Sequence, residues 1–174
     1  MTAIQWILIG GGVVVVGGAL VMGGGLAVLS RNQPSTEEIE LGVQDGRLSP
    51  CPASPNCVST RAEPDDERHY VPPIEYRRRP KEALDTTEAW VASREDAELV
   101  RRDENYLRAV FTSRLFRFKD DVEVYAPPEG GVLHFRSASR VGQGDMGVNR
   151  SRYQAYAAYQ IGRASCRERV YTKV

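Results

Sequence analysis

The stretch Lys119–Arg152, KDDVEVYAPPEGGVLHFRSASRVGQGDMGVNRSR, decides the fold and holds the densest group of polar side chains in the chain. Alternating residues over 116–125 and 132–140 flank the turn sequence PPEGG, and this pattern predicts an antiparallel hairpin. A glycine-bearing loop then leads to a helix that begins near Val148. The candidate binding or structural cluster comprises the acidic, guanidinium, hydroxyl and amide side chains of this stretch: Asp120, Asp121, Glu123, Arg136, Ser137, Ser139, Arg140, Asp145, Asn149 and Arg152.

The register of this hairpin follows from matching the apolar faces of its two strands. With Ala126 opposite Gly131, the valines of the first strand meet Phe and Leu of the second, whereas a slip of one residue would oppose apolar and polar faces. The matched register predicts three polar pairs: Asp121 with Arg136, Glu123 with His134, and Asp120 with Ser137.

Strand alternation divides the polar side chains between two faces of the sheet. One face holds Asp121, Glu123, His134, Arg136 and Arg140. Ion pairing alone would explain that set. The other face holds Asp120, Ser137 and Ser139 among Phe and Val, where a carboxylate is costly unless it is hydrogen-bonded or ligated. We therefore expect a functional site on this second face, beside the loop 142–149.

The segments before this hairpin complete the fold prediction. Pro80 predicts the start of a helix to about Ser93, because proline is favoured at a first helical position. Segments 97–102 and 106–113 predict a second hairpin, and the prolines of HYVPPIEY, 69–76, restrict that segment to an edge strand or an arm. The helix has an apolar stripe: Ala83, Leu84, Thr87, Trp90 and Val91. We predict an α+β fold, an antiparallel sheet meander with two packing helices, preceded by one N-terminal transmembrane helix.

The N-terminal run Ile4–Leu29 is uncharged and long enough to cross a bilayer as a helix. A cleaved signal peptide is the alternative, but Met1–Ala3 lacks the basic residue that such peptides have, and the run is longer than their apolar core. We predict a single-pass anchor, so the membrane is the expected partner. The small-residue row Ala19, Gly23 and Ala27 would allow two anchors to pair, although lipid-facing glycine without a partner explains it better.

Composition sets the domain boundaries and excludes one class of partner. The 23 basic and 23 acidic residues all follow Ser30, so the polar part is neutral, and no nucleic-acid partner is predicted. Residues 31–47 have turn formers and charge but no period and predict a tether, and 48–160 predict the soluble α+β domain. Ile161–Val170 resembles the translation of a common sequencing-adapter DNA, so residues 161–174 are predicted to be a non-native tail.

The cysteine pair Cys51 and Cys57 encloses two prolines that stiffen the segment. A disulfide is the preferred interpretation, two free structural thiols come second, and a zinc site with His69 and His134 comes third because the spacing is unusual for zinc. A disulfide needs an oxidising compartment, which favours a domain on the outer, periplasmic or extracytoplasmic side of the membrane. No metal or cofactor is predicted.

Three motifs in order, CPxSPNCVST, FRFKDDVE and RSASRVGxGDxGVNRxR, occur in this chain together with a nearby helix. In this it resembles the bacterial and plastid family known as domain of unknown function 1499, over about Leu48–Gln160. The resemblance implies a compact domain that is often found near membranes or exported, and it implies no particular activity.

Several roles remain open for the cluster. In a structural role, cross-strand ion pairs, a helix cap and loop-binding arginines account for all of it. A small anionic ligand would use Arg136, Arg140 and Arg152, and calcium or magnesium would use Asp120, Asp121, Glu123 and Asp145. Two function classes follow: a membrane-anchored, non-catalytic binding or structural module of the cell envelope, with a protein or anionic ligand as its partner, or an envelope hydrolase using an Asp/Arg/Ser cluster. A Ser–His pair is not expected, since His134 faces away from both serines.

Overall fold

A computed structural model describes residues 31–171, with side chains to Gly162. The predicted anchor Ile4–Leu29 and its small-residue row lie outside these residues. Across the described part of the chain, no helix combines the length and the apolar character needed to cross a membrane.

Eight strands and two helices make up the described part. The strands are β1 Val43–Gln44, β2 Arg47–Leu48, β3 Cys57–Ser59, β4 Ile74–Glu75, β5 Ala97–Arg102, β6 Tyr106–Thr112, β7 Lys119–Tyr125 and β8 Val132–Ser139, and the helices are α1 Pro80–Ala92 and α2 Val148–Tyr171. The antiparallel order β3–β8–β7–β6–β5 forms the main sheet, and the short strand β4 pairs with the start of β8. The α+β class, the antiparallel sheet and the two helices are confirmed.

Both helices contribute to one core on the inner face of the sheet. The predicted stripe of α1 is buried throughout. Trp90 lies 5.5 Å from the ring of Phe111 and 5.0 Å from that of Tyr156, so α1, the sheet and α2 meet at these aromatic side chains. The Thr87 and Tyr156 hydroxyls are 2.7 Å apart, and Gln160 donates to both at 3.0 Å, which joins the two helices.

The predicted register of the β7–β8 hairpin is wrong by two residues. Asp121 is not opposite Arg136, Glu123 is not opposite His134, and Asp120 is not opposite Ser137. Because the shift is even, every side chain keeps its predicted face. The observed pairs are Asp120–Ser139, Asp121–Ala138, Val122–Ser137, Glu123–Arg136, Val124–Phe135 and Tyr125–His134.

The wider turn between the two strands explains this shift. Ala126, which was expected to begin the turn by pairing with Gly131, instead donates its N–H to Asn105 O at 2.9 Å. The next two residues are prolines, which have no N–H for a ladder. The first two residues of β8 consequently pair with β4 on their other side. The last pair of the ladder is therefore Tyr125–His134, so eight residues, 126–133, separate the paired ends of the two strands where four, 127–130, were expected.

The start of β7 also differs from the prediction of a strand from 116. Phe116 and Phe118 lie in the preceding loop, and the strand begins at Lys119. Arg117 has φ +59°, a left-handed conformation that cannot continue a strand. The Ser113 hydroxyl accepts from the Phe118 N–H at 2.9 Å and closes the loop.

The predicted tether, 31–47, lies against the outer face of the sheet over much of its length. Gln33 donates to Arg117 O at 3.0 Å and accepts from the Lys119 N–H at 2.6 Å. Farther along, Leu48 of β2 is buried against Tyr106 and Tyr125. The chain that follows the predicted anchor is thus bound to the domain at both ends of this segment.

Candidate functional site

The inner-face network is built around Asn149, which is fully buried in the first turn of α2. Its side-chain N–H groups donate to Asn56 O at 2.9 Å and to the Ser139 hydroxyl at 3.1 Å. Its carbonyl oxygen accepts from the Ser137 hydroxyl at 2.5 Å and from Arg152 at 2.6 Å. One amide therefore links the residue before β3 with β8 and α2.

Arg152 connects this amide to the carboxylate that the sequence singled out. Its Nη2 donates to Asp120 Oδ2 at 2.7 Å, while Nη1 also reaches the Ser137 hydroxyl at 2.9 Å. The guanidinium carbon lies 4.6 Å from the centroid of the Phe111 ring, a cation–π distance. Asp120 on the apolar face is thus hydrogen-bonded and charge-paired, which removes the cost that sequence reasoning identified.

The loop before α2 and the cysteine segment hold this network in place. Asp145 accepts from the N–H groups of Gly147 at 3.0 Å and Asn149 at 2.7 Å, so it caps the helix as predicted for its structural role. Asn56 donates to Gly142 O at 2.8 Å. Sequence reasoning missed Asn56, although its place in the SPNC motif beside a cysteine was the available signal.

The predicted disulfide is present between Cys51 and Cys57, with a Cα–Cα separation of 5.7 Å. Neither His belongs to a zinc site with these cysteines. His69 bonds Asp66 at 2.7 Å, and His134 bonds the Thr60 hydroxyl at 3.2 Å. Among the side chains that the structure describes, no three His, Cys, Asp or Glu residues are grouped to hold a metal ion.

The outer-face network is centred on Asp121. Arg108 donates to Asp121 Oδ1 from Nε at 3.0 Å and from Nη2 at 2.7 Å. Arg140 donates from Nε to Oδ2 at 2.7 Å and from Nη2 to Oδ1 at 3.0 Å. Asp121 was expected to pair with Arg136, and Arg108 was not foreseen because the β6–β7 register was not predicted.

The same two arginines bind the segment that leaves the predicted anchor. Arg140 donates to Pro34 O and to the Thr36 hydroxyl, each at 3.0 Å, and Arg108 donates to Ile39 O at 3.1 Å. The outer face is held by ion pairs between neighbouring strands, as expected, although the partners differ from those predicted. These pairs are buried and continue into residues 34–39.

Glu123 forms the second centre of the outer face and is fully buried. It accepts from Arg136 at 2.9 Å and from the Tyr106 hydroxyl at 2.9 Å. Burial raises the pKa of Glu123 above its usual value of 4.5, and the nearby Arg136 and Tyr106 only partly oppose that effect. Burial beside this carboxylate also raises the pKa of Tyr106.

We expect Glu123 to make stability depend on pH. Its pKa is raised in the folded state, so its contribution is fully present below the unfolded pKa of about 4.5 and is lost as pH rises through the folded pKa. Glu123→Gln cannot ionise. We therefore expect the free energy of unfolding of the wild type minus that of Glu123→Gln to fall as pH rises from 4.5. Urea unfolding at a series of pH values measures this difference. A difference that stays constant or grows with pH would contradict the raised pKa.

The structure divides the predicted anion-binding arginines between two faces. Arg136 and Arg140 serve the outer network, while Arg152 serves the inner one, so the three do not form one fork. The oxygen set proposed for a cation is likewise separated: Asp120 and Asp145 are on the inner side, Asp121 and Glu123 on the outer. Ser137 and His134 are on opposite faces of β8, as alternation predicts.

A cavity with a volume of about 690 Å³ lies away from both networks. It lies between the β1–β2 hairpin and the chain after β3. Its polar rim includes Arg47 and Arg61, and its walls include Thr60, Tyr70 and Leu48. This volume is in the range of small-molecule sites, and the two guanidinium groups suit an anionic ligand.

A comparison with family models gives one match, described as "Protein of unknown function (DUF1499)", over residues 47–159. Searches of curated proteins and of solved structures give no match. The matched range begins at β2, ends within α2 and includes the whole main sheet with both polar networks. Because it covers well over half of the sequence, the chain belongs to the DUF1499 family of proteins of unknown function.

Proposed function

We propose that this protein is a membrane-anchored, non-catalytic structural or binding module of the cell envelope, held close to the bilayer by its own outer-face network. The observation that supports this most directly is the pairing of Asp121 with Arg108 and Arg140, whose remaining donors bind residues 34–39. Only four residues, 30–33, separate them from the uncharged run that ends at Leu29. The network therefore fastens the membrane-proximal chain to the sheet.

The length of free chain supports a position at the bilayer surface. Only three residues, 30–32, separate Leu29 from Gln33, which is hydrogen-bonded to the domain. The four residue steps from Leu29 to Gln33 span about 13 Å when fully extended, at roughly 3.3 Å per step. A domain on such a short connection remains at the membrane, and the disulfide favours its placement on the outer side.

The bonding of the cluster favours a non-catalytic role over the hydrolase alternative. Asp120 is paired with Arg152, and Asp121 and Glu123 are paired with other arginines. Ser137 donates to an amide carbonyl rather than to a base. A small anionic ligand would therefore bind in the cleft beside Arg47 and Arg61, away from the cluster.

Two measurements on the full chain test this proposal. First, washing membranes at alkaline pH should leave the protein in the pellet, whereas release into the supernatant would refute the anchor. Second, the purified chain should not hydrolyse model esters, phosphoesters or glycosides above the rate of an Asp120→Asn variant. Turnover that Asp120→Asn abolishes without a loss of folded protein would instead establish the hydrolase.

A further inference from the structure

We propose that one end of the sheet is a membrane-docking face, formed by the loops 113–118 and 141–147, and that its partner is the lipid bilayer interface. This inference depends on the proposed anchor, since it concerns how the anchored domain is oriented. Both loops lie where β7 begins and β8 ends. The Arg140 N–H donates to Lys119 O at 3.0 Å, which places the two loops side by side.

The chain from the predicted anchor enters the domain at this same end. Gln33 donates to the carbonyl of Arg117 at 3.0 Å, inside the loop 113–118. Its side-chain oxygen accepts from the N–H of Lys119 at 2.6 Å. Whatever direction the domain faces, these two bonds keep the loop 113–118 next to the point at which the chain leaves the bilayer.

The tips of both loops expose large apolar side chains. Leu115 is 79% exposed and Met146 is fully exposed, and Val148 at the start of α2 is about half exposed at 48%. Single exposed apolar residues are common on protein surfaces. Here, however, the two most exposed large apolar side chains of the described residues are on neighbouring loops, one of which bonds Gln33.

The backbone of both loops is strained at non-glycine residues. Arg117 has φ +59° and Met146 has φ +55°, and only one other described non-glycine residue, Asp45, has a positive φ. Such conformations are costly and concentrate at functional sites. In this case they hold turns whose tips present Leu115 and Met146 to solvent.

The distribution of charge suits the same orientation. Arg114 and Arg117 flank the exposed Leu115, and Arg114 forms an exposed ion pair with Glu95. In the other loop, the Asp145 carboxylate is directed to the N–H groups of Gly147 and Asn149. The turns at the opposite end of the sheet have Glu104 and Glu129, and Asp103, which pairs with Arg101. The arginines beside Leu115 fit the headgroup region of an anionic leaflet, and the end with the acidic turns would face away from it.

A fluorescent label on the full chain tests the orientation. We would place an environment-sensitive dye at Met146→Cys in a Cys166→Ser background, and reconstitute the protein in phosphatidylcholine–phosphatidylglycerol vesicles. The matched control has the dye at Glu129→Cys, at the other end of the sheet. We expect blue-shifted emission at 146 and quenching by nitroxide lipids that is several-fold stronger than at 129. Adding Leu115→Asp should reduce that quenching towards the control value.

The outcomes separate the docking face from the anchor. If alkaline washing retains the protein but both labels are quenched equally, the docking face is refuted and the anchor is not. If washing releases the protein, the anchor fails, and the docking face fails with it. A blue shift at 146 without nitroxide quenching would mean that protein covers the face, for instance a second copy, and would also refute lipid docking. Repeating the quenching at 146 in vesicles of phosphatidylcholine alone measures how much of the docking depends on attraction between the arginines and anionic lipid.

Discussion

Asp121→Asn is expected to lower the free energy of unfolding by about 3–5 kcal/mol, the usual cost of removing one partner from a buried ion pair. The side chains of Arg108 and Arg140 are only 7% and 1% exposed, so neither can regain full hydration when the carboxylate charge is lost. Because Asn has nearly the same shape as Asp, the drop in free energy of unfolding reflects the lost charge and not a new cavity. Urea unfolding followed by circular dichroism, on the full chain in mild detergent, measures the effect.

Asp85→Asn is the matched control for this variant. Asp85 also pairs with two cations, Lys81 and Arg102, but its side chain is 47% exposed. An exposed pair of this kind contributes about 1 kcal/mol or less. We also expect hydrogen exchange of the amides 35–40 to accelerate in Asp121→Asn and not in Asp85→Asn. Equal effects of the two variants on stability would show that the outer-face network does not hold the membrane-proximal segment.

Asn149→Ala is expected to cost about 3 kcal/mol, because it removes four hydrogen bonds from a buried network at once. Asn56 O and the Ser139 hydroxyl each lose the amide donor, and Ser137 and Arg152 lose a shared acceptor. A buried network of this kind is cooperative, so the loss should exceed that of a single hydrogen bond. The midpoint of thermal unfolding should fall by several degrees relative to the wild type.

Gln154→Ala provides the comparison on the same helix. Gln154 is an exposed amide of α2, so its truncation should change the free energy of unfolding by no more than about 0.5 kcal/mol. If Asn149→Ala and Gln154→Ala unfold at the same midpoint, the inner-face network is not a determinant of stability. The role of the network would then have to be the binding of a partner.

Local sequence pattern was sufficient for both helices, for β5 to β8 and for the face of each polar residue in β7 and β8, but it did not indicate β1, β2 or β3. The stripe of α1 is buried as predicted, since a 3.6-residue period describes a helix without reference to its partners. The two-residue alternation of β7 and β8 likewise assigned Asp120 to the inner face and Asp121 to the outer. The cysteine spacing, with its two prolines, indicated the disulfide that the structure contains.

The partners of those residues required the tertiary structure. The hairpin register depended on Ala126 bonding to Asn105 and on the start of β8 pairing with β4, and neither contact is visible in the hairpin's own sequence. An even slip preserves the alternation of faces, so the apolar pattern could not distinguish the two registers. Arg108, which is as close to Asp121 as Arg140 is, comes from a strand outside the hairpin.

The sequence by itself thus determined an α+β domain, its cysteine bridge and the division of one polar cluster between two faces. Periodicity and local stiffness are properties of short segments, and they do not depend on which other elements those segments pack against. Only the tertiary structure decided that Asn149 links the residue before β3 with β8 and α2, and that Asp121 binds arginines that also bond residues 34–39. Those contacts join residues as many as 106 positions apart, and their geometry is set by the packing of whole elements.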